Sequence, residues 1–314
     1  LNLDELQKTE RLLRPYVIET PLLPSKSLPG VSLKTENLQL TGSFKLRTAF
    51  SQLLQLSEED RQKGVVTSSS GNFAQAVAYA CEQLGVRATI VMMKSSSPFK
   101  VNRTQGWGAD VVFCEDHFAD RQRVVDRIRS EKGLRMVHPY DDPAAVLGNA
   151  TIGIEILRQS DRVQNVVVPI SGGGLAAGVS AALAAMRSSA KVWGVQPEGA
   201  NATFLSFRKG APVSIDRART IADGLVATRP GDYTFPIMKE RLETVLTVTE
   251  REIKEAVRHL FLEEKLVVEP SGAASVAAVM AGKVSAENSV CILSGGNMSF
   301  ETLDQCFTTV DNQR

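Results

Sequence analysis

Val166-Val167-Val168-Pro169-Ile170-Ser171-Gly172-Gly173-Gly174-Leu175 runs from a β-branched strand into three consecutive glycines and then an Ala-rich helical pattern. Glycine lets a backbone approach a ligand closely, and the unpaired N–H groups of a helix start favour an anion. A phosphate suits this loop, because a turn that serves packing alone needs fewer glycines. Two classes of phosphate ligand fit poorly. Gly172-x-Gly174-x-x-Ala177 is a loose dinucleotide fingerprint, yet the next strand ends Gly194-Val195-Gln196 and offers no acid to a ribose. No Gly-Lys-Ser/Thr is present for a nucleoside triphosphate.

The strand–turn–helix pattern extends in both directions. Ala88–Met93, Asp110–Cys114 and the segments 134–137, 192–195 and 290–293 read as strands. Between them lie a helix ending at Leu84 before Gly85, a helix opened by Asp142-Pro143, and a capping box of Thr249 with Glu252. This alternation predicts an α/β fold with parallel sheets covered by helices. Ligands in such folds bind beyond the carboxyl ends of the strands. Two further post-strand runs are therefore candidates: Thr67-Ser68-Ser69-Ser70-Gly71-Asn72 and Ser294-Gly295-Gly296-Asn297. Residues 210–236 have weaker periodicity and read as a partly irregular connection.

Composition narrows the class. With 314 residues, a net charge of +1 and 43% hydrophobic residues, the chain reads as a globular protein of about two domains. No dense basic block points to nucleic acid; Arg121, Arg123, Arg127 and Arg129 alternate with acids and read as the solvated face of a helix. Cys81, Cys114, Cys291 and Cys306 are scattered without a Cys-x-x-Cys pair, as expected of buried thiols in a reducing compartment. The N-terminus is acidic and polar rather than signal-like, and 176–186 is too short to span a bilayer. The expectation is a cytoplasmic protein without membrane contact.

Thr41-Gly42-Ser43-Phe44-Lys45 precedes a helical pattern with Leu46, Ala49, Phe50, Leu53 and Leu54 on one face. Ser43 is the expected N-cap, which puts Lys45 in the first turn. The helix dipole disfavours a cation there, which lowers the amine pKa and favours a neutral nucleophile able to form an imine. Taken alone, the position reads rather as a surface lysine whose stem packs past Phe44.

Thr41-Gly42-Ser43-Phe44-Lys45-Leu46-Arg47 closely resembles the lysine motif of the serine/threonine dehydratase and serine racemase family, within fold-type II pyridoxal-phosphate enzymes. Four more segments agree in order: Ser69-Ser70-Gly71-Asn72, Gly172-Gly173-Gly174-Leu175, Glu269-Pro270-Ser271-Gly272-Ala273 and Ser294-Gly295-Gly296-Asn297. The resemblance implies a two-domain, tryptophan synthase β-like fold with pyridoxal 5'-phosphate as a Schiff base on Lys45. It implies that Lys45 moves the substrate's Cα proton, Phe44 packs on the cofactor ring and Asn72 bonds its phenolic oxygen. Ser171, Gly172, Gly173, Gly174 and Leu175 would cradle the phosphate, and Ser294 would meet the ring nitrogen. Ser69, Ser70 and Asn72 would bind the substrate carboxylate, and Ser70 matches the position that works opposite the lysine in racemases. The implied activity is a lyase reaction turning an L-3-hydroxy amino acid into a 2-keto acid and ammonia. A homodimer is implied too. The alternatives are a threonine/serine dehydratase proper or a serine racemase, followed by a non-catalytic cofactor-binding protein.

The departures from the family pattern are local. The family usually has His after Ser-Gly-Asn, Asn after His-Pro, and Gly-Gln-Gly-Thr; here stand Phe73, Tyr140 and Gly148-Asn149-Ala150-Thr151. Phe73, Tyr140 and Asn149 are expected on the substrate side, where they favour a bulky or aromatic β-substituent, such as that of L-threo-phenylserine, over threonine or serine. Many relatives hold a divalent cation on Glu-Pro-x-x-Ala-x-Asp, but this chain reads Gln196-Pro197-Glu198-Gly199-Ala200-Asn201-Ala202. With two carboxylates replaced, no metal is expected there. His117, His138 and His259 lack ligand spacing. The few residues after Asn297 are too short for the regulatory domain of biosynthetic threonine dehydratases, so a catabolic role without such feedback is expected. The expected organisation is a larger cofactor-binding domain of residues 1–45 plus 144–314, with a smaller α/β domain, 46–143, inserted.

Overall fold

The computed structural model of the protein describes residues 1–116 and 118–308; His117 lies outside them. Ten strands follow in chain order: β1 (Leu22–Pro24), β2 (Val31–Lys34), β3 (Val65–Ser68), β4 (Ala88–Met93), β5 (Asp110–Cys114), β6 (Arg135–Met136), β7 (Asn165–Pro169), β8 (Lys191–Pro197), β9 (Thr244–Val248) and β10 (Ser289–Ile292). The helices are α1 (Leu3–Leu13), α2 (Lys45–Leu53), α3 (Glu58–Lys63), α4 (Asn72–Leu84), α5 (Pro98–Gly106), α6 (Phe118–Lys132), α7 (Pro143–Gln159), α8 (Gly174–Ala185), α9 (Ala202–Lys209), α10 (Thr234–Arg241), α11 (Glu250–His259), α12 (Pro270–Met280) and α13 (Phe300–Phe307). No described helix is long and apolar enough to cross a membrane.

The strands form two sheets. A six-stranded sheet runs β1-β2-β10-β7-β8-β9, and a four-stranded sheet runs β5-β4-β3-β6. All pairs are parallel except β1 with β2. Both faces of each sheet are covered, which is why the strands read as nearly continuous apolar runs. Side-chain alternation sorts neighbours to opposite faces. Val167 packs with Ile253 and Ala277 of α11 and α12, whereas Val166 and Val168 pack with Val179, Leu183 and Met238 of α8 and α10. In the smaller sheet Val65 and Ile90 meet Phe50 and Val77, and Val66 and Val91 meet Val125 and Ile128.

Several expected boundaries hold closely. Gly85 caps α4 in the left-handed conformation, Asp142 caps α7 with Pro143 following, and Thr249 and Glu252 form the capping box of α11. Ser43 does not cap α2. Phe44 occupies that position, and the buried hydroxyl of Ser43 has no partner among the described residues. Strands β1, β2 and β9 are not announced by periodicity.

The carboxyl ends of strands from both sheets open on one cavity of about 370 Å³. Residues after β3, β4 and β6 line one side, and those after β7 and β10 line the other.

Candidate active site

Lys45 is the first residue of α2 and lies in this cavity, its Nζ donating to the carbonyl of Pro139 at 2.5 Å. Burial pushes its amine down to about 7. The expected low pKa is therefore present, with burial as its cause. Nζ sits 4.8 Å from the centre of the Phe44 ring and 5.8 Å from that of Phe73. The lysine motif is tied to the strand-β10 loop by the amide of Phe44, which donates to the carbonyl of Ser294 at 3.1 Å, and by a bridge between Ser43 and Gly295. Both Phe44 and Ser294 line the cavity.

Across the cavity, Ser171-Gly172-Gly173-Gly174 leads into α8, with Gly173 at φ +99°. Each glycine here is packed too closely for a side chain. A Cβ would stand 2.2 Å from the Tyr140 ring at Gly172, 2.4 Å from Met238 Cε at Gly173, and 2.9 Å from the Tyr140 carbonyl at Gly174. The first amides of a helix have no intrahelical partner, so this start presents N–H donors to an anion. Leu175, in the first turn, also lines the cavity. Bare backbone at a helix start, facing a buried amine of lowered pKa, fits a phosphorylated aldehyde.

The serine run follows β3. Ser69, Ser70, Gly71 and Asn72 line the cavity at the start of α4. Ser70 Oγ accepts from the amide of Met93 at 3.3 Å and lies 2.8 Å from Ser96 Oγ, which anchors it to the end of β4. Asn72 Nδ2 donates to Glu269 Oε1 at 2.5 Å. Phe73 reaches the cavity but is only 2% exposed and belongs mainly to the apolar core of the smaller sheet. Tyr140 lines the cavity, and burial raises its hydroxyl pKa.

Asn149 is a correction. It is fully buried, accepts from Thr48 Oγ1 at 2.7 Å between α7 and α2, and is not among the cavity-lining residues. Arg121 is the reverse case. Expected on a solvated helix face, it lines the cavity, and burial lowers its guanidinium pKa. The buried residues Val124, Val125 and Ile128 follow it at helical spacing, so the apolar stripe of α6 extended one turn back lands on position 121. Sequence reasoning also gave no role to Lys100, Asp223 or Glu269, all of which line the cavity. Lys100 and Asp223 form an ion pair from opposite sides. Glu269 stands within a recognised motif, but the sequence alone assigns it no task.

A family model described as pyridoxal-phosphate dependent enzyme matches residues 13–295. The chain belongs to the pyridoxal-phosphate-dependent enzyme family. Within it, the chain is 38% identical over 311 residues to an L-threonine ammonia-lyase of Thermotoga maritima, covering 97% of this chain and 78% of the relative. It is 36% identical over 309 residues to a catabolic L-threonine dehydratase of Staphylococcus aureus, covering 95% and 89%. Among solved structures, maize serine racemase superposes with a TM-score of 0.92 at 32% identity, covering 98% of this chain and 96% of that one. A threonine deaminase from T.th. superposes at 0.90 and 39% identity, covering 96% and 99%. The fold is thus that of the fold-type II enzymes, and the cofactor of this family is pyridoxal 5'-phosphate.

Proposed function

We propose that this family member is a lyase that converts an L-3-hydroxy amino acid into a 2-keto acid and ammonia. The observation that carries the reading is Lys45, whose amine burial pushes down to about 7, in one cavity with the close-packed glycines that start α8 and suit a phosphate. Pyridoxal phosphate supplies an electron sink that stabilises negative charge at the substrate Cα. The residues of the chain do the rest. Lys45 holds the cofactor and, with its pKa near neutrality, is suited to take up the Cα proton. Gly172 to Gly174 and the start of α8 bind the phosphate, Phe44 packs beside the ring, and Ser294 faces the ring nitrogen. Ser69, Ser70 and the start of α4 bind the substrate carboxylate.

Elimination is favoured over racemization by the surroundings of Ser70. Its oxygen accepts from the Met93 amide and from Ser96, which ties it to the end of β4 with its own hydrogen left for the substrate carboxylate, and Lys45 is the proton carrier. The names of the sequence relatives support elimination, being threonine ammonia-lyase and dehydratase, while the structural neighbours include both a threonine deaminase and a serine racemase. Within the lyase reading, Phe73 and Tyr140 on the cavity wall support a substrate with a bulky or aromatic β-substituent. Ring contacts of this kind contribute about 0.5–1.5 kcal/mol beyond area burial. Arg121 favours a second reading, a β-substituent carrying a carboxylate. A screen for 2-keto acid formation from L-threonine, L-serine, L-threo-phenylserine and L-threo-3-hydroxyaspartate tests these readings together. Release of 2-keto acid and ammonia from at least one is expected. Inversion at Cα without ammonia would overturn the lyase reading. A kcat/KM clearly higher for threonine than for phenylserine would sink the aromatic preference.

We also propose, on the family resemblance, that the division at residues 46–143 is a domain boundary and that the chain assembles as a homodimer; light scattering of the purified protein tests the latter.

A further inference from the structure

Asn297 closes the run that follows β10, and the proposed chemistry gives it no role. It is 4% exposed. Its Nδ2 donates to the carbonyl of Thr41 at 2.7 Å and to Asn72 Oδ1 at 3.0 Å, and its Oδ1 accepts from Arg103 Nη1 at 3.1 Å. A main-chain carbonyl only accepts and a guanidinium only donates, so the Asn297 amide has one allowed orientation. That orientation is passed on. Asn72 must turn its Oδ1 to Asn297, which leaves its Nδ2 facing Glu269 Oε1.

The backbone is shaped to make room for both partners. Gly42, at φ +71°, would place a Cβ 2.6 Å from Asn297 Oδ1. A Cβ at Gly295 would stand 2.3 Å from Glu269 Oε1 and 3.1 Å from Asn72 Nδ2. Burial pushes the Glu269 carboxyl up to about 8, against the opposing pull of Lys100 and with a further push from Asp223. A protonated Glu269 keeps Oε1 as an acceptor and carries its hydrogen on Oε2, which has no hydrogen-bond partner among the described residues.

We propose that Asn297 and Glu269 act as positioning residues that hold Asn72 with one N–H, and not its carbonyl oxygen, directed into the cavity. This rests on the reading that Asn72 faces the ring oxygen of the bound cofactor. A fixed donor at that point stabilises the deprotonated oxygen, so it lowers the pH at which the bound chromophore titrates. The lock joins the lysine motif, the serine run and the strand-β10 loop through one side chain.

The test is a pH titration of the visible spectrum of the holoenzyme without substrate. Asn297→Ala is expected to retain the cofactor, to move the chromophore midpoint up by at least one pH unit, and to lower kcat at least tenfold with less than a threefold change in KM. Asn72→Ala is expected to give the same spectral shift, and the double variant no more than either. Should Asn297→Ala fail to fold, the near-isosteric Asn297→Asp, which has no N–H to give Thr41 or Asn72, carries the same prediction. A normal midpoint in Asn297→Ala or Asn297→Asp beside a shifted Asn72→Ala would overturn the lock while keeping Asn72 on the cofactor. No shift in Asn72→Ala would instead overturn the placement of Asn72.

Discussion

The ring of Tyr140 lies against the backbone of Gly172, so closely that a Cβ at position 172 would stand 2.2 Å from Tyr140 Cε2. Gly172 is not among the glycines at positive φ, so the obstacle to a side chain is the ring and not the backbone conformation. Gly172→Ala is therefore expected to weaken cofactor binding at least tenfold, measured by titrating the apoprotein with pyridoxal phosphate. Adding Tyr140→Ala should recover much of that loss. A double variant no better than Gly172→Ala alone would show that the ring is not what shapes the cradle.

The buried amine of Lys45 gives a pH prediction. A base whose pKa is lowered to about 7 becomes neutral above that pH, and only the neutral amine attacks an aldehyde. The rate of cofactor uptake by the apoprotein should rise through pH 7 and level off above about pH 8. A rate still climbing near pH 10, where an ordinary lysine titrates, would contradict it.

Much of this arrangement is legible in the sequence, and the reason is local. Val166, Val167 and Val168 alternate between two packed faces, so their run announces a strand covered on both sides. The glycines and Lys45 sit at element starts, where capping and backbone rules apply. What was missed depends on distant partners. Strand β2 contains Lys34, fully buried because its Nζ meets Glu155 Oε2 at 2.6 Å on α7, a pairing no window of sequence reveals. Asn149 was expected at the substrate, but α2 packs over it and Thr48 takes its side-chain oxygen. Arg121 was misplaced because its neighbours in sequence are charged, while its neighbours on the helix are apolar.

Lys34 belongs to a wider buried network. Arg47, fully buried, donates to Glu36 and Glu155 at 2.9 and 2.6 Å. Removing one member leaves buried carboxylates uncompensated, so Arg47→Ala is expected to cost about 3–5 kcal/mol of folding free energy. Denaturant unfolding checks this, and a loss below about 1 kcal/mol would mean that the network relaxes or admits water.

Phe73→His tests the substrate side. A polar ring at a position that is 2% exposed lowers stability by about 1–3 kcal/mol unless it finds a partner. The ratio of kcat/KM for threonine to that for phenylserine should rise in this variant. An unchanged ratio would show that Phe73 serves the core alone.

The loop after β8 gives a prediction on metal. Gln196, near the end of β8, has its Oε1 accepting from the amide of Phe204 at 2.9 Å, and Ala202 has no side-chain oxygen to offer a cation. Activity is expected to survive EDTA. Complete loss with chelator, restored by Mg²⁺, would contradict this.

The central claim is that Lys45 carries the cofactor. Borohydride reduction of the holoenzyme followed by peptide mass mapping tests it most directly. The reduced cofactor is expected on the peptide containing Lys45, with Lys45→Ala losing both that adduct and the visible absorption band. An adduct on another lysine, or a band that persists in Lys45→Ala, would contradict the account.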